Sequence, residues 1–158
     1  MPDYSETEHP YNHILQGTMP IAFLALWSLD SFVFRISTFL SEGVGLPFRI
    51  ALGIPVLVLA IFLMNRAHQI VFGDPGGERR LIDSGIYGRV RHPMYLGSLL
   101  IYVFFIITTL SIISLVAWIA VCIVIDRMAS FEERYLLGEL GNDYVEYTKR
   151  VPRWLPRI

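Results

Sequence analysis

Two short clusters hold the residue types from which a ligand site could be built. The first is Arg91-His92-Pro93-Met94-Tyr95, at the start of an apolar run. Pro93 suits the first position of a helix, where its missing N–H is no loss, and it holds His92 extended. The unpaired N–H groups of such a first turn attract a carboxylate or a phosphate. Arg91 adds a positive charge, His92 a hydrogen-bond donor, and Tyr95 a second polar group one turn on. Gly97 would let a ligand approach the backbone closely. The second cluster is Glu132-Glu133-Arg134, expected just past the end of an apolar helix. Acids there oppose the helix dipole, which points to a purpose other than helix stability. Paired carboxylates accept hydrogen bonds from hydroxyls or an ammonium group. A plain helix cap, and an acidic turn paired with Arg127 or Arg134, would use the same residues without any ligand.

The clusters complement each other. A helix N-terminus with Arg and His suits an acidic ligand group, and two carboxylates suit hydroxyls and a cation. S-adenosylmethionine offers all of these, and other zwitterionic ligands would be served equally. Further candidates are weaker. His9 and His13 have i,i+4 spacing but no third ligand, so no metal site is expected. Asp30 lies in an apolar run, where an acid is a functional candidate, but its place near the end predicts an interfacial position. His68 is expected on a polar rim. Cys122 is the sole cysteine, which excludes an intramolecular disulfide, and it reads as a small buried apolar residue.

The elements that must position these residues follow from composition. The chain has 158 residues, 54% hydrophobic and 17% charged, with a net charge of −1. A soluble domain averages about 25% charged. The apolar excess is blocky, as a bilayer requires. Nothing in the charge balance suggests nucleic acid. The acidic N-terminus lacks the basic start of a secretory signal. Apolar runs cover Ile14–Phe34, with Pro20 inside, and Leu46–Met64, interrupted by Arg49 and Pro55. Arg49 is expected to snorkel to the interface. A third block, Leu96–Ile125, would be about 45 Å long as one helix, too long for a ~30 Å hydrocarbon core. Two helices over 93–109 and 111–128, turning near Thr108–Ser111, fit better. The fold class is therefore all-α: a polytopic membrane protein of about four transmembrane helices, the last two a hairpin, plus a C-terminal interfacial helical tail. The whole chain reads as one membrane domain.

Charge placement supports four helices. Eleven of the thirteen basic residues fall in the 65–92 loop and in the tail from 126. With four spans these segments share one side, and the positive-inside tendency places both termini in the cytoplasm. The tail's Tyr135, Tyr144, Tyr147 and Trp154 are expected to anchor it at the interface.

LIDSGIYGRVRHPMYLG (81–97) closely resembles a motif of the isoprenylcysteine carboxyl methyltransferase family and the related phospholipid N-methyltransferases. FEERYLLGELGNDYVEYTKRVPRWLP (131–156) resembles the same family's ending. Ile86 stands where the family often has Pro. The resemblance implies a membrane methyltransferase without a Rossmann-type fold, using S-adenosylmethionine bound between the last two helices and the tail. By motif position Arg91, His92, Pro93, Tyr95, Leu96, Gly97, Glu132 and Glu133 would form the cofactor pocket. Arg127, Arg134 and Glu133 are the catalytic candidates, either arginine holding an acidic substrate group. The acceptor would be a lipid or lipid-linked molecule, first an isoprenylcysteine-type carboxylate and otherwise a phospholipid amine or small thiol. Residues 1–80 would shape the substrate entrance. Two other classes remain: an NADPH-dependent membrane reductase using Arg79, Arg80 and Arg89, and a non-catalytic lipid-binding scaffold. Oligomeric state is not legible.

Overall fold

Five α-helices follow one another in the computed structural model, which describes residues 12–72 and 81–156. They are α1 (Asn12–Ser28), α2 (Leu46–Phe72), α3 (Pro93–Thr109), α4 (Ile112–Leu140) and α5 (Asn142–Arg150). A π-helical turn, Leu29–Phe34, prolongs α1, and a 3-10 turn, Phe39–Glu42, precedes α2. No strand occurs among the described residues. Three helical segments are long and apolar enough to cross a membrane: Ile14–Phe34, Leu46–Phe72 and Ile112–Leu140. The fourth apolar helix, α3, has 17 residues and so reaches about 25 Å. The protein is all-helical and polytopic, with the α3–α4 hairpin where the block length required it.

Many large apolar side chains face outward, among them Ile21, Phe32, Val58 and Val116. In water this would be a liability; in a bilayer it is the solvated surface. The interior is correspondingly small. Phe23, Leu99, Tyr102 and Ile125 form its apolar centre, with Trp27 and Trp118 packed around them. The two indole N–H groups donate to backbone carbonyls of α3, at Phe105 and Leu99. Lipid cannot satisfy such donors, so the helices must.

The α2–α3 contact is close because glycine makes room. A Cβ on Gly97 would lie 2.5 Å from Met64 Cγ and 3.0 Å from the Ala60 carbonyl oxygen. Gly53 similarly faces the Phe104 ring at 3.0 Å. Small residues at a helix interface are how membrane helices approach each other without a hydrophobic driving force. Gly97 is therefore a packing residue, not the point of ligand approach expected above.

The hairpin turn uses neither Gly nor Pro. Leu110 adopts a left-handed conformation (φ 51°) and donates its N–H to Ile106 O. Ser111 then caps α4, its Oγ accepting the Ser114 N–H at 3.0 Å. A branched side chain at positive φ costs about 1–2 kcal/mol, which the surrounding hydrogen bonds offset.

Several expectations are corrected. Helix α4 does not stop near residue 128 but runs to Leu140, ending where Gly141 takes φ 55°. Glu132 and Glu133 thus lie inside a helix, and the dipole conflict disappears. Helix α2 likewise continues through Asn65, Arg66, His68 and Gln69 to Phe72. The Arg49 guanidinium donates to the Thr108 carbonyl, tying the start of α2 to the end of α3. Asp30, near the end of its apolar segment, is buried within the protein at 4% exposure. Tyr144 and Tyr147, expected at the lipid interface, are buried against Val151, Leu81, Leu136 and Leu140. His9, the side chain of His13, Arg79 and Arg80 lie outside the described residues.

Candidate functional site

The end of the 81–92 loop and the C-terminal tail meet over the C-terminal half of α4. Three contacts hold them. The Arg91 N–H donates to Pro152 O at 3.0 Å, Tyr147 Oη donates to Tyr87 O at 2.7 Å, and Arg150 pairs with Asp83 at 3.2 Å. Burial pushes the Tyr147 phenol up to about 12 and raises that of Tyr144 as well. Both therefore stay neutral hydrogen-bonding groups at physiological pH.

Within this frame His92 precedes α3 in a non-helical conformation, with Pro93 buried at the first helical position. His92 is 6% exposed and lies between the two glutamates. Its Nε2–H donates to Glu133 Oε1 at 3.0 Å, and its Nδ1 is 3.7 Å from Glu132 Oε2. The Tyr95 ring stacks on it at 5.6 Å and the Trp154 ring lies at 5.8 Å.

Glu133 is the hub. Besides His92 it accepts two bonds from one guanidinium: Arg153 Nε to Oε1 at 3.1 Å and Arg153 Nη2 to Oε2. Arg91 Nε approaches Oε1 at 3.2 Å, yet its N–H is out of line and is buried without a hydrogen-bond partner. The contact is electrostatic and leaves a donor direction open. Glu132 is the more accessible acid, its side chain 39% exposed.

Helix α4 presents Asp126, Ser130 and Glu133 at i, i+4 and i+7, one face two turns long. Arg153 reaches all three, its Nη1 donating to Asp126 Oδ1 and Ser130 Oγ at 3.0 Å each. The hydrogen bonds to Glu133 come first among the causes that raise the Arg153 guanidinium further above its ordinary range. Trp154 Nε1 donates to the same Asp126 oxygen at 3.0 Å.

Beside this cluster runs an open groove of about 530 Å³, lined by Leu99, Cys122, Ile123, Asp126, Arg127 and Trp154. It is apolar along α3 and α4 and polar at its Asp126 end. Arg127 is exposed in it and has no carboxylate partner among the described residues.

The structure thus brings together Arg91, His92, Tyr95, Glu132 and Glu133 from the sequence candidates. Pro93 and Gly97 lie behind them in helix packing, with Leu96 half-buried nearby. Arg134 stays apart, exposed over the Phe131 ring at 5.8 Å. Sequence reasoning does not select Asp126, Ser130, Arg153 or Trp154. For Asp126 and Ser130 the available signal is the i, i+4, i+7 polar spacing with Glu133 at the end of an otherwise apolar stretch; for Arg153 and Trp154 it is their place in the 131–156 segment.

The family model described as phospholipid methyltransferase matches residues 46–142, which include both site clusters. Protein-S-isoprenylcysteine O-methyltransferase B of Arabidopsis thaliana is 33% identical over 85 residues, 51% of this chain and 42% of that protein. Protein-S-isoprenylcysteine O-methyltransferase of Schizosaccharomyces pombe is 30% identical over 94 residues, 57% of this chain and 39% of that protein. The matched segments span about two fifths of each relative.

Proposed function

Since the chain belongs to the phospholipid methyltransferase family, we propose that it transfers a methyl group from S-adenosylmethionine to a lipid-linked acceptor in the membrane. The first candidate acceptor is an isoprenylcysteine-type carboxylate. The observation that carries the reading is the meeting of two distant motifs at one buried cluster, His92 of the α3 N-terminus on Glu133 of α4.

The residues fit the donor's chemistry. Arg91 has a buried N–H without an aligned acceptor, next to the first turn of α3, and suits a carboxylate. Glu132 and Glu133 suit an ammonium group and ribose hydroxyls. Tyr95, His92 and Trp154 offer ring faces beside them. When bound, the donor supplies an electrophilic methyl on a sulfonium. The chain's own residues then have two tasks: to hold the acceptor in line, and to exclude water from it. Arg127 would take the acceptor's acidic group, and Leu99, Cys122 and Ile123 its apolar chain. A carboxylate acceptor reacts without losing a proton, so no general base is required of the site. The basic loop and tail would place this face in the cytosol.

A phospholipid amine is the second reading, favoured by the description of the matching family model. It requires a proton acceptor, for which Glu132 beside His92 is placed.

Calorimetric titration of the purified protein with S-adenosylhomocysteine tests the donor site. Saturable binding that Glu133→Gln weakens about a hundredfold or more, or ~2.7 kcal/mol, is the expected result. No binding by folded protein, in detergent and in lipid nanodiscs, would overturn the reading. Competition between a prenylated cysteine analogue and a phospholipid amine in a methyl-transfer assay then separates the acceptors.

A further inference from the structure

Glu133 belongs to the donor cluster, whereas Asp126 and Trp154 line the groove. One side chain touches both sets. Arg153 binds Glu133 through Nε and Nη2 and binds Asp126 through Nη1, with Ser130 between them. It lies on the tail, beyond the residues 46–142 that match the family model. Its backbone neighbours are fixed: Val151 is buried, Pro152 O accepts the Arg91 N–H, and Trp154 Nε1 is bound to Asp126.

We infer that Arg153 is a positioning residue that couples the donor pocket to the groove, so that a change at Glu133 alters the groove through this one guanidinium. The coupling is a property of the network; it rests on the methyl-transfer reading only for what the two sites hold. The physical basis is the rigid planar fork. A guanidinium has five donors in one plane and can serve two carboxylates two helical turns apart, with every bond in a fixed relation to the others. If a ligand's cation or hydroxyl takes an oxygen of Glu133, Arg153 must tilt. The tilt moves its Nη1 from Asp126, and Trp154, the next residue in the chain and the other donor to that oxygen, shifts with the backbone that carries both. Lysine, a single point donor, could hold one carboxylate but not both.

Cys122 allows a test that needs no ligand and no added probe site. It is the sole cysteine, half-buried in the groove with Asp126 and Trp154, and Glu133 is not among the groove's lining residues. The measurement is the rate of N-ethylmaleimide addition to Cys122 in lipid nanodiscs, for the wild type, Glu133→Gln, Arg153→Met and the double variant. Coupled neighbours give interaction energies that correspond to rate changes of about threefold or more. Arg153→Met should raise the rate by at least that factor. Glu133→Gln should raise it about threefold when Arg153 is present and leave it unchanged in the Arg153→Met background. Equal effects of Glu133→Gln in both backgrounds, or no effect in either, would overturn the inference. Should Arg153→Met fail to fold, Arg153→Lys replaces it, with the same loss of coupling expected.

Turnover supplies the second readout. Arg153→Met should raise KM for donor and acceptor together, each about tenfold, with Arg153→Lys recovering part of one of them. A residue that merely held the tail down would reduce the amount of active protein and leave both KM values unchanged, which would also overturn the inference. If the wild type transfers no methyl group, the labelling result still decides the role of Arg153, and only the functional reading falls.

Discussion

Asp30 and Glu133 are both largely buried acids, and their surroundings differ in kind. Asp30 is closed by neutral donors. Its oxygens accept the Ser37 N–H at 3.1 Å and the hydroxyls of Ser37 and Ser111. The Ser37 Oγ in turn accepts the Ile113 N–H at 2.9 Å, and the Ser111 and Ser114 hydroxyls lie 2.8 Å apart. This network joins the end of α1, the linker and the α3–α4 turn, and every partner is part of the fold. Glu133, about 33 Å further along α4, is met by His92, Arg153 and Arg91. Those donors carry charge or can do so, one of them is out of line, and a second, more exposed acid stands beside them. A carboxylate saturated by neutral groups of the fold fixes geometry. One surrounded by charged donors with a direction left open is equipped to exchange a partner for a ligand.

The largest expected effect falls on the second acid. Glu133→Gln leaves Arg91 and Arg153 without their shared counter-charge, in a cluster where Arg91 and Glu133 are largely buried. Breaking such a pair costs about 3–5 kcal/mol, so donor-product binding should fall by about a hundredfold or more and turnover should become undetectable. Asp30→Ala should act the other way round. It strands the donors of Ser37 and Ser111 and should lower stability by about 2–4 kcal/mol, read as a fall in the unfolding midpoint in detergent. Surviving folded protein should bind S-adenosylhomocysteine within about twofold of the wild type. A hundredfold loss of binding in Asp30→Ala would break the distinction between the two acids. Gly97→Ala should cost about 1–3 kcal/mol by overpacking against Met64 and the Ala60 carbonyl. Gly138→Ala, with nothing within 4 Å, should be neutral or stabilising by about 0.5–1 kcal/mol.

The same contrast explains which features are legible in the sequence. Arg91–Tyr95 and Glu132-Glu133 are contiguous, and a proline or a doubled acid marks them. The four apolar helices follow from block lengths set against bilayer thickness. The end of α4 does not, because polarity marks where the bilayer ends and not where the helix ends. Asp126, Ser130 and Glu133 break the apolar run without breaking the backbone, and the helix continues until Gly141 can turn it. Asp30 reads as interfacial from its place near the end of an apolar run, and its burial is not legible there because it needs Ser111 from the α3–α4 turn as well as Ser37. Arg153 lies inside the 131–156 segment that resembles the family, yet its partners on α4 do not show in the sequence. Its value depends on the tail folding back onto α4, a long-range event with no local signature.

The smallest effects test which arginine faces the acceptor. Arg127 lines the groove, where the acid beside it, Asp126, is already engaged by Arg153 and Trp154. Its charge is thus available to an anionic head group. Arg134, one residue past the paired acids, lies over the Phe131 ring instead. An exposed cation–π contact is worth about 0.5–1 kcal/mol, and nothing in it faces the site. Arg127→Ala should therefore raise KM for an acidic acceptor about tenfold, ~1.4 kcal/mol, with donor binding unchanged. Arg134→Ala should leave KM and kcat within about twofold. An uncharged or cationic acceptor whose KM is insensitive to Arg127→Ala would shift the reading towards the amine. A tenfold effect of Arg134→Ala would show instead that the acceptor approaches from the Phe131 face, and that the groove serves another purpose.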